Sequence, residues 1–269
     1  MQKRCSRPSD PVSPYSGHSG EDAACRPLIE VFGTRPKRFD LLMRGAGIVG
    51  VGRDDFVVEA GCAYGAGALF LAGSLGCRVL GVDCDARQIA AAVKTLDRVG
   101  VTGVSFAVGR AEGLPLNGET VDFIVSEASF SVLVDKARAA AEYGRVLKPG
   151  GQVIMNDFIV RGHVDEALRR QMRYIPCFAG VRSGRSYQDI FERAGFATRT
   201  VIDTSSELIK TALWISKASG GKPADISRIL ASLMGGPPAE GCTPNELVCK
   251  EFLRQARLGY AQLIFMKET

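Results

Sequence analysis

The stretch Phe56-Val57-Val58-Glu59-Ala60-Gly61-Cys62-Ala63-Tyr64-Gly65-Ala66-Gly67 constrains this chain more than any other. Phe56, Val57 and Val58 form a short apolar run, the pattern of a strand buried on both faces. An acid stands at its carboxyl end, Gly61, Gly65 and Gly67 follow, and Ala68-Leu69-Phe70-Leu71-Ala72 reads as a helix. A glycine turn between strand and helix lets backbone approach a ligand closely, because no side chain stands in the way. A second strand, Arg78-Val79-Leu80-Gly81-Val82, ends in Asp83, 22 residues beyond Gly61. A carboxylate at that point is placed to accept hydrogen bonds from a ribose diol.

Dinucleotide-binding and S-adenosylmethionine-binding folds share this turn and this acid. The dinucleotide fingerprint G-x-G-x-x-G, laid on Gly61, puts Ala63 and Ala66 where glycines belong. Glu59 directly before the turn would repel a pyrophosphate, yet it suits the ammonium of a methionine moiety. A nicotinamide-dependent oxidoreductase therefore ranks low. The series VVEAGCAYGAG, GVDCD, GRAEGLPL, VDFIVSE and EYGRVLKPGGQVIMND resembles class I S-adenosylmethionine-dependent methyltransferases of the small-molecule, ubiquinone-methyltransferase-like (methyltransferase type 11) group. The resemblance covers roughly Arg35 to Phe196. It implies an α/β, Rossmann-like, doubly wound seven-stranded sheet, mostly parallel with an antiparallel last strand, plus a helical cap or insert. It also implies methyl transfer to a small-molecule acceptor, with S-adenosylhomocysteine as the other product.

Carried onto the matching positions, the resemblance gives the donor's methionine ammonium to Glu59 and its packing surface to Gly61, Cys62, Ala63 and Gly65. It gives the ribose to Asp83, with Cys84 beside it, the adenine to Ala111 and Glu112, and the surroundings of the methyl group to Ser126 and Glu127. The family carries an aspartate, accepting from the adenine amino group, where this chain has Arg110, and an arginine cannot accept. Either Glu112 substitutes, or the Ala111 amide alone reads the adenine, or nucleotide affinity is weak and the chain is a methyltransferase-like binding subunit. No catalytic base is named. The two histidines are His18, near the N-terminus, and His163, which reads as a surface residue.

Ile175 to Gly180, followed by Ala194-Gly195-Phe196, resembles the same region of arsenite methyltransferases, where a cysteine stands 17 residues before an Ala-Gly-Phe. A thiolate set of Cys177 with Cys242 or Cys249 would suit a soft metalloid. The plainer reading, Cys177 as a pocket-lining hydrophobe, is favoured, and no bound metal is expected.

Size and composition narrow the rest. At 269 residues and 46% hydrophobic content the chain buries one large core or two small ones. A net charge of +5 without a Lys/Arg block argues against nucleic acid. No apolar run is long enough for a membrane span, and the N-terminus lacks the apolar core of a secretory signal. Eight cysteines without a C-x-x-C pair argue against a zinc ribbon and for a reducing cytoplasm. Residues 1–29, rich in Pro, Ser and Gly, read as a flexible tail, and 30–269 as one domain with a helical insert at about 205–258 before the last strand. That insert falls to acceptor binding or to oligomer contacts, and the oligomeric state stays open.

Element by element, the pattern predicts a helix around Phe39–Arg44 and another after Asp85, with Asp85 as its N-cap. Lys148-Pro149-Gly150-Gly151 reads as a stop that ends a helix at Leu147 before a strand at 152–157. Strands at 198–203 and 260–266 bracket helices at 207–217, 224–234 and 245–258. Between Val160 and Arg199, arginines 161, 169, 170, 173, 182, 185, 193 and 199 outnumber acids 165, 166, 189 and 192. Most read as solvated helix faces, with one or two available to an anionic acceptor. A thiol-bearing acceptor is the other possibility.

Overall fold

A computed structural model describes residues 37–172, 176–218 and 246–269. The tail at 1–29 and the expected helix at 224–234 lie outside the described residues. Helix α1 (Asp40–Val49) leads into β1 (Phe56–Ala60), α2 (Ala66–Leu75), β2 (Arg78–Asp83), α3 (Ala86–Val99), β3 (Val104–Val108) and β4 (Val121–Glu127). A 3-10 turn at Phe130–Val132 precedes α4 (Lys136–Val146), β5 (Leu147–Ile159), α5 (Glu166–Gln171), α6 (Pro176–Ala179) and α7 (Gly184–Arg193). Then come β6 (Phe196–Asp203), α8 (Ser205–Ala218), α9 (Glu246–Ala256) and β7 (Gly259–Lys267).

The seven strands form one sheet in the order β3-β2-β1-β4-β5-β7-β6. Pairs from β3 to β5 are parallel, and β7 runs antiparallel to both β5 and β6. The expected fold class is the one observed. The apolar run of β1 follows from cover on both faces. Val57 packs with Leu42 of α1 and Leu71 of α2, while Val58 packs with Ala139 and Tyr143 of α4. On that second face Phe191 of α7 stacks on Phe265 of β7 with centroids 4.0 Å apart. Strand order reverses at β1 and β4, so the connections leaving their carboxyl ends diverge and open a crevice there.

Two expectations need correction. The Lys-Pro-Gly-Gly segment is no loop: α4 ends at Val146 and β5 starts at once, with Leu147 opposite Val121 and Gln152 opposite Phe123. The extra residues form a bulge, which suits a proline that has no amide to donate and Gly150 at φ +74°. Helix α1 also continues past Gly45, because that residue lets the helix lie against the sheet. A Cβ on Gly45 would stand 2.5 Å from Ile154 Cγ2 and 2.9 Å from Gln262 Nε2. The Asp85 cap is present, its carboxylate accepting from the Arg87 amide.

Gly45 and Gly47 therefore separate packing from propensity within one helix. Gly47 is exposed, and a Cβ there meets nothing within 4 Å. Gly47→Ala is expected to stabilise the protein by up to about 1 kcal/mol, the intrinsic helix preference. Gly45→Ala should destabilise it by about 1–3 kcal/mol through overpacking. Urea denaturation of both variants checks this, and equal effects would contradict the assigned seat of α1.

Candidate active site

A cavity of about 640 Å³ opens at the carboxyl ends of β1, β2 and β4. Its first anchor is Glu59, penultimate in β1 and 4% exposed. Glu59 Oε2 accepts from the Ala68 amide at 2.7 Å, in the first turn of α2, where free amides and the helix dipole favour negative charge. A Cβ on Gly67 would overlap the Glu59 carboxyl group, so glycine there keeps the acid's seat open. Burial pushes the carboxyl up to about 8, the Ala68 amide opposes that, Glu127 and Asp83 add to it, and Arg38 offsets part.

The turn itself is set by backbone. Gly61 (φ +79°) and Cys62 donate their amides to Val82 O at 2.8 and 3.1 Å, tying the turn to β2. A Cβ on Gly61 would lie 2.5 Å from Ser129 Cβ. Ala63 takes a left-handed φ of +49°, which aims its amide at Asp83 Oδ2, 2.9 Å away. Asp83 Oδ1 accepts from the Asp85 amide at 2.9 Å. Each carboxylate oxygen thus holds one amide, which fixes its plane and leaves further lone pairs for a ligand. Cys62 is buried, and desolvation followed by the charges of Glu59 and Asp83 push its thiol well up, so it is no nucleophile.

Glu112 is 8% exposed, and its Oε1 lies 3.3 Å from Nη2 of the exposed Arg110. Arg110 therefore leans on Glu112, one of the alternatives for the missing aspartate, and both line the cavity with Ala111. At the other end, Glu127 accepts from Asn156 Nδ2 at 2.8 Å and from the Tyr260 hydroxyl at 3.0 Å. Ala128 beside it has φ +50°.

Glu59, Gly61, Cys62, Ala63, Asp83, Cys84, Ala111, Glu112 and Glu127 all line this one cavity. Gly65 and Ser126 stand behind the wall instead. A Cβ on Gly65 (φ +75°) would overlap the Phe106 ring, so this glycine seats α2 against β3. Ser126 is fully buried and hydrogen-bonds Ser129, whose Oγ donates to Ala60 O at 2.7 Å. Its role is to tie the two strand ends together.

Several lining residues escape the sequence. Arg38 and Phe39 reach the cavity just before α1, the guanidinium 4.3 Å from the Phe39 ring, which stacks on Phe70. Phe158 and Tyr260, paired across β5 and β7, form a T-shaped contact at 5.2 Å, and α8 adds Glu207, Leu208 and Thr211. The turn carrying Val132 and Leu133 is clamped from below. Asp157 accepts from the Ser131 amide at 2.7 Å, and Lys136 Nζ donates to Ser131 O and Leu133 O.

None of the described arginines between 161 and 199 lines the cavity. Arg161 pairs with Asp203, Arg185 with Asp189 and Glu192, and Arg169 donates to Ala179 O and Val181 O. His163 is exposed elsewhere. Cys249 is 2% exposed within an apolar cluster with Phe178 and Phe252, while Cys242 and the Cys177 side chain lie outside the described residues. Among the described residues no group of three or more His, Cys, Asp or Glu is arranged to hold a metal. No described helix is long and apolar enough to cross a membrane.

The sheet order and its helices are those of the class I methyltransferase fold. Residues 58–155, from within β1 to within β5, match the family model described as a methyltransferase domain. Methyltransferase GfsG of Streptomyces halstedii is 29% identical over 158 residues, 56% of this chain and 56% of that protein. The arsenite methyltransferase of Aquipseudomonas alcaligenes is 32% identical over 157 residues, 55% of this chain and 45% of the other. Phosphoethanolamine N-methyltransferase 2 of Haemonchus contortus, solved with S-adenosyl-L-methionine, superposes with a TM-score of 0.71 at 17% identity. That superposition covers 90% of this chain and 56% of the other, and it speaks for the fold. The matches span between 45% and 63% of the length of these curated relatives and of a Haemophilus influenzae protein.

The buried acid has a signature in stability. A carboxyl that titrates near 8 when folded and near 4.5 when unfolded binds its proton more tightly in the folded state, so its contribution falls as pH rises between those values. Glu59→Gln removes that dependence while keeping an oxygen for the Ala68 amide. Ligand-free Glu59→Gln should gain in melting temperature relative to wild type between about pH 5 and pH 9. Parallel pH profiles for the two proteins would contradict the burial of a titrating acid at this position.

Proposed function

We propose that this chain is an S-adenosylmethionine-dependent methyltransferase acting on a small-molecule acceptor. One observation carries the reading: a buried Glu59 at the start of α2 and an amide-locked Asp83 face the same cavity at the point where strand order reverses. The residues present fit the donor. Glu59 would take the methionine ammonium, Arg38 the methionine carboxylate, the Gly61–Ala63 backbone the donor's flank, and Asp83 the ribose diol with Cys84 at its edge. The Ala111 amide and Glu112, braced by Arg110, would read the adenine.

Bound there, the donor supplies an electrophilic sulfonium methyl group. The chain's own residues orient it and exclude water, which is where most of the rate enhancement of such a displacement arises. Glu59 is well matched to this task. Protonated in the empty cavity, it becomes a carboxylate when an ammonium arrives, because an adjacent opposite charge favours its ionised form. The names of the relatives span a metalloid and an amine, so the acceptor is set by the far half of the cavity. The metalloid alternative is not carried forward, since Cys249, the described cysteine of that set, is buried in an apolar cluster and is not among the residues that line the cavity.

We also read 30–269 as one domain, because β6 and β7, on either side of the insert, complete the same sheet as β1. Free thiols at Cys62, Cys77, Cys84 and Cys249 support residence in a reducing cytoplasm.

Calorimetric titration with S-adenosylhomocysteine, beside NADH, tests the reading. Wild type should bind S-adenosylhomocysteine and ignore NADH. Asp83→Asn, which keeps one acceptor oxygen for the turn, should weaken binding roughly 10- to 100-fold, the worth of a charge-assisted pair to a diol. Preference for NADH, or binding of neither nucleotide, would overturn the assignment.

A further inference from the structure

We infer that Lys136 and Asp157 are positioning residues for donor binding, holding the cavity wall at 129–134 in place from behind. The inference rests on the donor reading above, because that reading places donor groups at both ends of this wall. Ser129, Val132, Leu133 and Val134 line the cavity. At one end a Cβ on Gly61, in the turn given to the donor's flank, would stand 2.5 Å from Ser129 Cβ, and Ser129 Oγ donates to Ala60 O. At the other end the first turn of α4 meets the segment given to the adenine, where Arg138 Nε donates to Glu112 O at 3.1 Å. Whatever fixes residues 129–134 therefore fixes the surface between the two.

The middle of the wall is held by two buried charged side chains. The Ser131 amide donates to Asp157 Oδ2 at 2.7 Å, and the Ser131 carbonyl accepts from Lys136 Nζ at 2.9 Å. Lys136 Nζ also donates to Leu133 O at 2.7 Å, so Val132 is gripped through the residue on either side of it. The second oxygen of Asp157 accepts from the amide of Phe158, whose ring lines the cavity too. Both oxygens of Asp157 thus hold an amide, which an asparagine, with one oxygen, cannot repeat. Asp157 is fully buried and Lys136 is 8% exposed. Taking charges out of water is unfavourable, and these two find partners in one short turn, so the turn's position follows the charge state of both. Uncharged side chains would hold the same backbone groups by longer and weaker hydrogen bonds.

The surroundings set when both charges are present. Asp157 faces Lys136 and Tyr143 of α4, Ser131 of the turn and Tyr187 of α7. Burial pushes its carboxyl up to about 6, opposed by Ser131, the Phe158 amide and Lys136. Lys136 faces Asp157, Glu112, Arg182 and Arg169, and burial, followed by Arg182, brings its ammonium down to about 8. Both charges therefore hold the wall between about pH 6 and about pH 8. Below that window Asp157 takes up a proton, above it Lys136 loses one, and each change loosens the grip on Ser131 from one side.

The test is calorimetric titration with S-adenosylhomocysteine from about pH 5.5 to about pH 9, using wild type, Lys136→Gln and Asp157→Asn, each first shown to be folded by its melting curve. Glu59 is common to all three proteins, so the ratio of affinities isolates the pair. Near neutral pH each variant should bind roughly tenfold more weakly than wild type. The Lys136→Gln deficit should fade toward about pH 9, where the wild-type lysine is neutral as well. The Asp157→Asn deficit should fade in the other direction, where the wild-type acid is protonated. Lys136→Arg, which stays charged throughout, should keep at high pH the affinity that wild type loses, and this comparison decides if the uncharged variants fail to fold. Wild-type affinity in both variants near neutral pH, a deficit equal at every pH, or a Lys136→Arg profile parallel to wild type would overturn the inference, since a purely structural defect does not follow the titration. Failure of the wild type to bind S-adenosylhomocysteine would refute the donor reading instead, and this inference with it.

Discussion

The site depends on an acid placed where an acid is costly. Glu59 is desolvated by β1, α2 and the neighbouring strands, and a single amide from the first turn of α2 faces it. Everything around it follows from making room for that contact. Gly67 has no side chain because one would overlap the carboxyl, and Gly65 lets α2 start close enough to β3 for the amide to arrive. Gly61 lets the loop after β4 pass under the turn, where Ser129 fastens it to Ala60. A carboxyl group kept near neutrality in the empty state and ready to ionise beside a cation is a receptor for charge, which a surface acid with full hydration would be only weakly.

The sheet converts that contact into a cavity with two different ends. Parallel strands deliver Glu59, Asp83 and Glu127 to the same edge, one from each of β1, β2 and β4. Backbone amides fix the first two, so the end proposed for the donor is specified by chain geometry. Side chains from β5, β7 and α8 furnish the other end, where the hydrogen-bond line from Gln262 through Asn156 to Glu127 runs across strands far apart in sequence.

Legibility in the sequence follows the same division. Glu59, the Gly61–Ala63 turn, Asp83 and Glu112 are readable because each sits at a fixed offset from a local pattern of strand, turn and helix. Gly65 and Ser126 belong to the same motifs, yet a motif does not tell a residue that touches the cavity from one that packs behind it. Gly65 answers to Phe106, and Ser126 to Ser129. Arg38, Phe158, Tyr260 and Glu207 are not readable, because they meet only through the antiparallel register of β5 with β7 and the seat of α1. The Arg-rich segment misleads for a related reason: each described arginine there that has a partner finds it in a nearby acid or carbonyl, away from the cavity.

The central claim is that Glu59 ionises to receive a cationic ligand, and proton linkage tests it most directly. S-adenosylhomocysteine binding is measured by calorimetry near pH 7 in buffers of different ionisation enthalpy, for wild type and Glu59→Gln. The account predicts release of nearly one proton per bound ligand from wild type and almost none from the variant, which should also bind more weakly. Tight binding by wild type without proton release would contradict it, since Glu59 would then be ionised in the empty cavity or untouched by the ligand.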